Sequence, residues 1–157
     1  MTILNTISLE SNRNIKINFN GGDLSSDGGL LLIKEFAVRI GLIKLVKKLF
    51  KTTDPALYRI HTDSDNLMQM IYQIIAAYFE DDCADELTND PVLTAILDKE
   101  ALASQPTLSR FWNRMDENTL AQLDTIDSKM REIVYSIEQP EHMLFDLDST
   151  LLNTYGS

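Results

Sequence analysis

Two aspartates spaced two apart, Asp146 and Asp148, are the side chains of this 157-residue chain best placed to do chemistry. They sit in Asp146-Leu147-Asp148-Ser149-Thr150, directly after the apolar run Met143-Leu144-Phe145. That run predicts a buried strand ending in acid, and carboxylates at i and i+2 on a strand project from one face. At a strand end they can bind Mg²⁺, which prefers hard oxygen ligands and usually keeps several waters. Two such ions about 4 Å apart can activate an attacking oxygen and stabilise a leaving one in phosphodiester chemistry. Further carboxylates from elsewhere are then required, and only nine residues follow Asp148. The plainer alternative is a strand end whose aspartates cap the next turn. An EF-hand loop is excluded: counted from Asp146, its glycine position holds Leu151 and its glutamate position holds Ser157.

The elements that must carry this motif are mostly helical. Residues 3–9 and 14–19 read as extended, with Ile15, Ile17 and Phe19 alternating against polar neighbours, and Gly21-Gly22 breaks the pattern. Ser25-Ser26-Asp27 offers capping oxygens to a helix with Leu30, Ile33, Ala37 and Ile40 on one face. Gly41 interrupts it, and Leu42, Leu45, Val46 and Leu49 continue in a second helical piece. Residues 52–65 read as a loop. The strongest helix spans roughly 65–80, with an apolar stripe of Leu67, Met70, Ile71, Ile74, Ile75 and Tyr78. An acidic connection leads to Asp90-Pro91, a cap plus first-turn proline that opens a short helix to Leu97. A helix over about 106–115 opens at Pro106. The last, about 117–137, carries Leu120, Leu123, Ile126, Met130, Ile133, Val134 and Ile137. A lone strand after so many helices cannot satisfy its own backbone: either it pairs with the N-terminal strands or, the favoured expectation, the rest of its sheet is missing.

Composition narrows the class. Hydrophobic residues make up 44% and charged residues 24%, a soluble globular balance. No apolar run approaches the ~18 residues that span a bilayer, and Met1 to Asn5 lacks the plan of a secretory signal. Cys83 is alone, which predicts a reducing, cytoplasmic setting without an internal disulfide. The net charge of −10 argues against nucleic acid as a partner, but its distribution softens the objection. Residues 1–60 hold nine Lys/Arg against five Asp/Glu; residues 61–157 hold five against nineteen. The positive part lies in Lys34, Arg39, Lys44, Lys47, Lys48 and Lys51, either a solvated helix face or a phosphate-contacting patch.

The segment Ser104 to Met115 has the pattern of a recognition helix. Arg110, Asn113 and Arg114 would face DNA while Leu108, Phe111 and Met115 face inward, and two short helices joined by a turn fit a helix-turn-helix. An ordinary amphipathic helix is the competing reading. Trp112 reads as core or edge packing. The acidic connection 80–90 reads as a solvated loop. His61 and His142 lack partners at ligand spacing, and Cys83 has no adjacent base.

Two family resemblances bear on the Asp146–Thr150 motif. Phe145 to Thr150, continued by Leu151-Leu152-Asn153-Thr154, resembles the opening of haloacid-dehalogenase-like phosphatases. That likeness would make Asp146 a nucleophile and Asp148 a general acid/base, but Ser149 stands where glycine is usual and no later motif follows. The rest of the chain resembles bacterial insertion-sequence transposases of the group 1 DDE class. Phe19-Asn20-Gly21-Gly22 through Ser26-Asp27-Gly28-Gly29-Leu30-Leu31-Leu32 is similar to that family's opening. Tyr72-Gln73-Ile74-Ile75-Ala76-Ala77-Tyr78, with Ala84-Asp85-Glu86-Leu87 and Asn89-Asp90-Pro91-Val92, is similar to its central helix and acidic linker. Ala103-Ser104-Gln105-Pro106-Thr107-Leu108-Ser109-Arg110-Phe111 resembles the segment before the catalytic domain, and Asp148-Ser149-Thr150 matches its first catalytic acid.

The resemblance implies an RNase H-like core, Mg²⁺ dependence, and DNA strand cleavage and transfer. Carried over by position, Asp148 would be the catalytic metal ligand and Asp146 only a possible helper; charge clustering and helical pattern, not the resemblance, put Lys44, Lys47, Lys48, Arg110, Asn113 and Arg114 on DNA. Partners would be DNA at transposon ends, with room for a homo-oligomer and no membrane. Three departures count: relatives are expected to carry Gly at Ala77, Arg at Thr88, and an arginine near Met70. The expected fold is α+β and mostly α-helical. A strand pair over 1–22 precedes a helical DNA-handling region over 23–138, then the first strand of a truncated catalytic domain over 139–157. As a fragment ending after the first catalytic acid, the chain is expected to be inactive alone and to hold no stable Mg²⁺. The alternatives are a phosphatase fragment and a non-catalytic helical module that binds DNA or a partner.

Overall fold

The computed structural model describes residues 6–19, 21, 25–56, 58–80 and 82–146. Its two strands form an antiparallel pair: β1 (Thr6–Ser8) against β2 (Lys16–Asn18), with Ile7 opposite Ile17. The pair is tied to the first helix by Ser11 N donating to Glu35 (3.0 Å) and by Glu10 with Arg39 (3.1 Å). The helices are α1 (Leu30–Arg39), α2 (Leu42–Leu49), α3 (Asp63–Ile75), α4 (Cys83–Glu86), α5 (Pro91–Leu97), α6 (Gln105–Trp112) and α7 (Glu117–Ile137). The expected mostly helical α+β architecture therefore holds. Among the described residues, no helix is long and apolar enough to cross a membrane.

Local signals explain most boundaries. Gly41, at φ 79°, separates α1 from α2 in a conformation that glycine adopts without strain. Asp90 caps α5 by accepting from Val92 N (2.9 Å) and Leu93 N (2.7 Å), with Pro91 behind it as expected. α3 begins in a reciprocal cap: Thr62 Oγ1 accepts from Asp65 N, and Asp65 accepts from Thr62 N. Asp116 and Thr119 open α7 in the same way. α1 departs from expectation. Ser25-Ser26-Asp27 makes a turn rather than a cap, and Gly29 precedes the helix without a side-chain bond. A tertiary contact explains it, because the Asp27 carboxylate accepts from the Tyr78 hydroxyl (3.0 Å).

α3 is the hub, packed against α2, α5 and α6, while α7 lies on α2. Phe50, Tyr72, Leu93, Ile96, Leu102 and Phe111 form the interior, with Phe50 and Phe111 rings 6.0 Å apart. Three expected faces are corrected. On α1 the inward position after Leu30 belongs to Lys34, and Ile33 is exposed. On α3 the buried face contains Asn66, Gln69 and Gln73, while Ile74 and Ile75 are exposed. On α7 Ile126 is buried with Leu123, Met130 and Ile133 half-buried, and Leu120, Val134 and Ile137 face outward. The strand expected over Met143–Phe145 is not formed, and residues 134–146 are exposed. No described strand lies beside that run to supply its hydrogen bonds.

α3 ends in a Schellman turn: Tyr78 N donates to Gln73 O (2.9 Å) and Ala77 N to Ile74 O (3.0 Å). Ala77 consequently sits at φ 66°, where a Cβ is strained. Relatives were expected to carry glycine here, and the geometry supplies the reason. Ala77→Gly should stabilise the protein by about 1 kcal/mol, read as a melting temperature higher by roughly 2–4 °C.

Candidate nucleic-acid interface

α2 turns Val46 into the core and leaves Lys44, Lys47 and Lys48 exposed on its opposite side. Lys47 and Lys48 lie in its last turn, where cations also favour the helix dipole. The chain then leaves α2 extended at Phe50. Its next residue is gripped by α7: the Gln122 amide accepts from Lys51 N (2.8 Å) and donates to Lys51 O (3.3 Å).

Beyond Lys51 a compact ionic network holds the 50–62 connection. Asp63 is buried and accepts from Thr52 N (2.8 Å), Thr52 Oγ1 (3.0 Å) and Arg59 Nη1 (2.7 Å). Arg114 reaches in from beyond α6, donating to Thr52 Oγ1 (3.1 Å), with Asp54 at 3.5 Å and Asp63 at 3.7 Å. Its guanidinium also stands 5.9 Å from the Phe111 ring. A hydrogen bond from Ala56 N lowers the Asp54 pKa; burial opposes this, and Arg114 and Arg59 reinforce it. Two guanidiniums thus face two carboxylates, the pairing that buried charge requires.

This corrects part of the expected DNA contact set. Arg110 is exposed, its Nη2 donating to Thr107 Oγ1 (3.3 Å) on its own helix, and Asn113 is exposed as the residue ending α6. Arg114 instead turns inward to Asp54 and Asp63. Leu108 and Phe111 are buried and Met115 half-buried, as the helical spacing predicts. α6 packs on α3 and α4. Trp112 is half-exposed at the edge.

The positive cluster is also thinner than its sequence. Lys34 is buried, 3.2 Å from both Ala95 O and Asp98 Oδ2. Arg39 pairs with Glu10 and Glu35. Lys44, Lys47, Lys48 and Lys51 have no ion-pair partner among the described residues.

Two clefts connect these residues. One of about 470 Å³ is lined by Lys47, Lys51, Arg59 and the first residues of α3. Another of about 350 Å³ is lined by Arg59, Arg110 and Arg114 among others. Arg59 belongs to both, so it joins the lysine end of α2 to the arginine end of α6. Lys44, Lys48 and Asn113 flank this face without lining either cleft. Arg59 was missed in the sequence, where 52–65 read only as a loop; the Thr62-x-x-Asp65 cap is the signal that would have placed the helix start beside it.

Asp146 is exposed, and Asp148 lies outside the described residues. Among the described residues no three His, Cys, Asp or Glu side chains come together to hold a metal, the acidic connection included. Burial and nearby Lys99 lower the His61 pKa, with Asp65 opposing; His142 is exposed, and Cys83 is a free half-buried thiol.

The chain matches the family model described as "Transposase DDE domain group 1" over residues 7–157. No curated protein and no solved structure matches it.

Proposed function

Since the chain belongs to the group 1 DDE-domain transposases, we propose that its helical part binds transposon-end DNA through the face formed by α2, the 50–62 connection and α6. One observation carries this reading: Arg59 lies in two adjoining clefts and unites Lys47 and Lys51, which have no ion-pair partner among the described residues, with exposed Arg110. Lysines of that kind supply sequence-independent phosphate contacts, and a helix-borne arginine can add base-edge contact. The two clefts are lined by Lys47, Lys51, Arg59, Arg110 and Arg114 against Asp54, Asp63 and Asp65, so this face is basic although the chain is acidic. The family match favours this reading over a phosphatase fragment.

Strand cleavage and transfer with Mg²⁺ is the activity proposed for the intact family, in the cytoplasm. Asp148 would be its metal ligand and Asp146 a helper, within a catalytic domain beginning near residue 139 that follows a strand pair over 1–22 and the helical region over 23–138. A homo-oligomer on paired DNA ends is compatible with this. Among the described residues no cage of acids is gathered, and we expect no cutting by them alone.

The test is fluorescence anisotropy with labelled duplex carrying the element's ends. Binding should weaken steeply between about 50 and 200 mM salt, as counterion release requires. Added magnesium should leave the duplex uncut on a denaturing gel. Salt-independent binding or none would remove the DNA reading, and nicking by the isolated chain would remove its inactivity.

A further inference from the structure

The cleft of about 350 Å³ between the 50–62 connection and α6 contains an unmet hydrogen-bonding need. Asn66 lines it at 1% exposure, and among the described residues its Oδ1 accepts from no group. A buried acceptor without a donor is costly and rare. It calls for a ligand that brings an N–H.

The other walls indicate which ligand. Tyr58 is 84% exposed, an aromatic ring offered to the cleft with little protein cover. Arg110 brings a guanidinium whose one hydrogen bond among the described residues is to Thr107. Arg59 and Arg114 also line the cleft, but Asp54 and Asp63 balance their charge. A flat ring, a buried amide acceptor and an uncompensated cation correspond to the three parts of a nucleotide: base plane, base edge and phosphate.

We propose that this cleft takes one unpaired nucleotide of a DNA strand, its base stacked on Tyr58, an edge N–H donating to Asn66 Oδ1, and its phosphate on Arg110. The inference rests on the reading of the face as DNA-binding and adds the form of DNA: a frayed or single-stranded end. A base within intact duplex is paired and stacked, so it cannot enter such a cleft without being extruded.

The experiment compares the full chain's affinity for a blunt duplex and for the same duplex with a four-nucleotide single-stranded overhang. The overhang should bind about tenfold more tightly, the scale of one base stacked on an aromatic ring. Tyr58→Ala, at an exposed position that folding does not need, should abolish the preference. Asn66→Leu should reduce it, provided its circular dichroism matches the parent. Equal affinity for both duplexes, or a preference that survives in Tyr58→Ala, overturns the proposal while leaving salt-sensitive duplex binding intact. Binding of the overhang without the blunt form sustains the nucleotide site and removes the lysine-face reading. Binding of neither removes both.

Discussion

Gln69→Leu should cost the protein roughly 2–5 kcal/mol. Gln69 is 2% exposed on α3, and its amide holds both backbone groups of Ala103: Nε2 donates to Ala103 O (2.8 Å) and Oε1 accepts from Ala103 N (2.9 Å). Ala103 is fully buried in the connection that delivers α6. Leucine fills nearly the same volume, so the change removes the hydrogen bonds with little cavity. An N–H and a C=O are then left buried and unpaired, each costing about 1–3 kcal/mol. Against a typical stability of about 5–15 kcal/mol, that is a large fraction. Urea unfolding should show a lower midpoint with an unchanged slope. Gln69→Glu provides a control, because it keeps the acceptor but loses the donor. A Gln69→Leu midpoint within error of the parent would mean that the connection can leave the core and find water.

The second large effect falls on binding. Replacing Lys44, Lys47 and Lys48 together by alanine should reduce duplex affinity about a hundredfold near 0.15 M salt. Each phosphate contact contributes about 0.9 to the log–log salt slope, so three should lower it by about 2.7. All three side chains point away from Val46 and the core, so the fold should be retained. The salt slope is the decisive readout, since a folding defect would lower active protein without changing it. An unchanged slope would leave these lysines as a solvated face, the plainer reading of their spacing.

Much of the fold was legible because its signals are local. Asp90-Pro91 states where α5 starts, Gly41 where α1 stops, and the apolar spacing of 117–137 announces a long helix, whatever the rest of the molecule does. The polar face of α3 was not legible. Asn66, Gln69 and Gln73 lie at helical spacing, which reads as a solvated stripe. Gln69 is buried because the bare backbone at Ala103 packs against it and needs an amide to bond it. The candidate site was legible only in part: Lys47 and Arg110 were marked by charge and spacing, whereas Arg59 and Tyr58 lay in a segment with no periodic pattern.

By itself the sequence determined the family, through ordered motifs that run nearly its whole length, and the list of cations available to meet a phosphate. Tertiary structure alone decided which of those cations are free. Lys34 meets Asp98 from 64 positions away, and Arg114 meets Thr52 from 62, pairings that no local spacing can announce. The physical reason is range: caps and helical periods are fixed within a few residues, whereas neutralising a charge depends on whichever distant group the packing brings within about 4 Å.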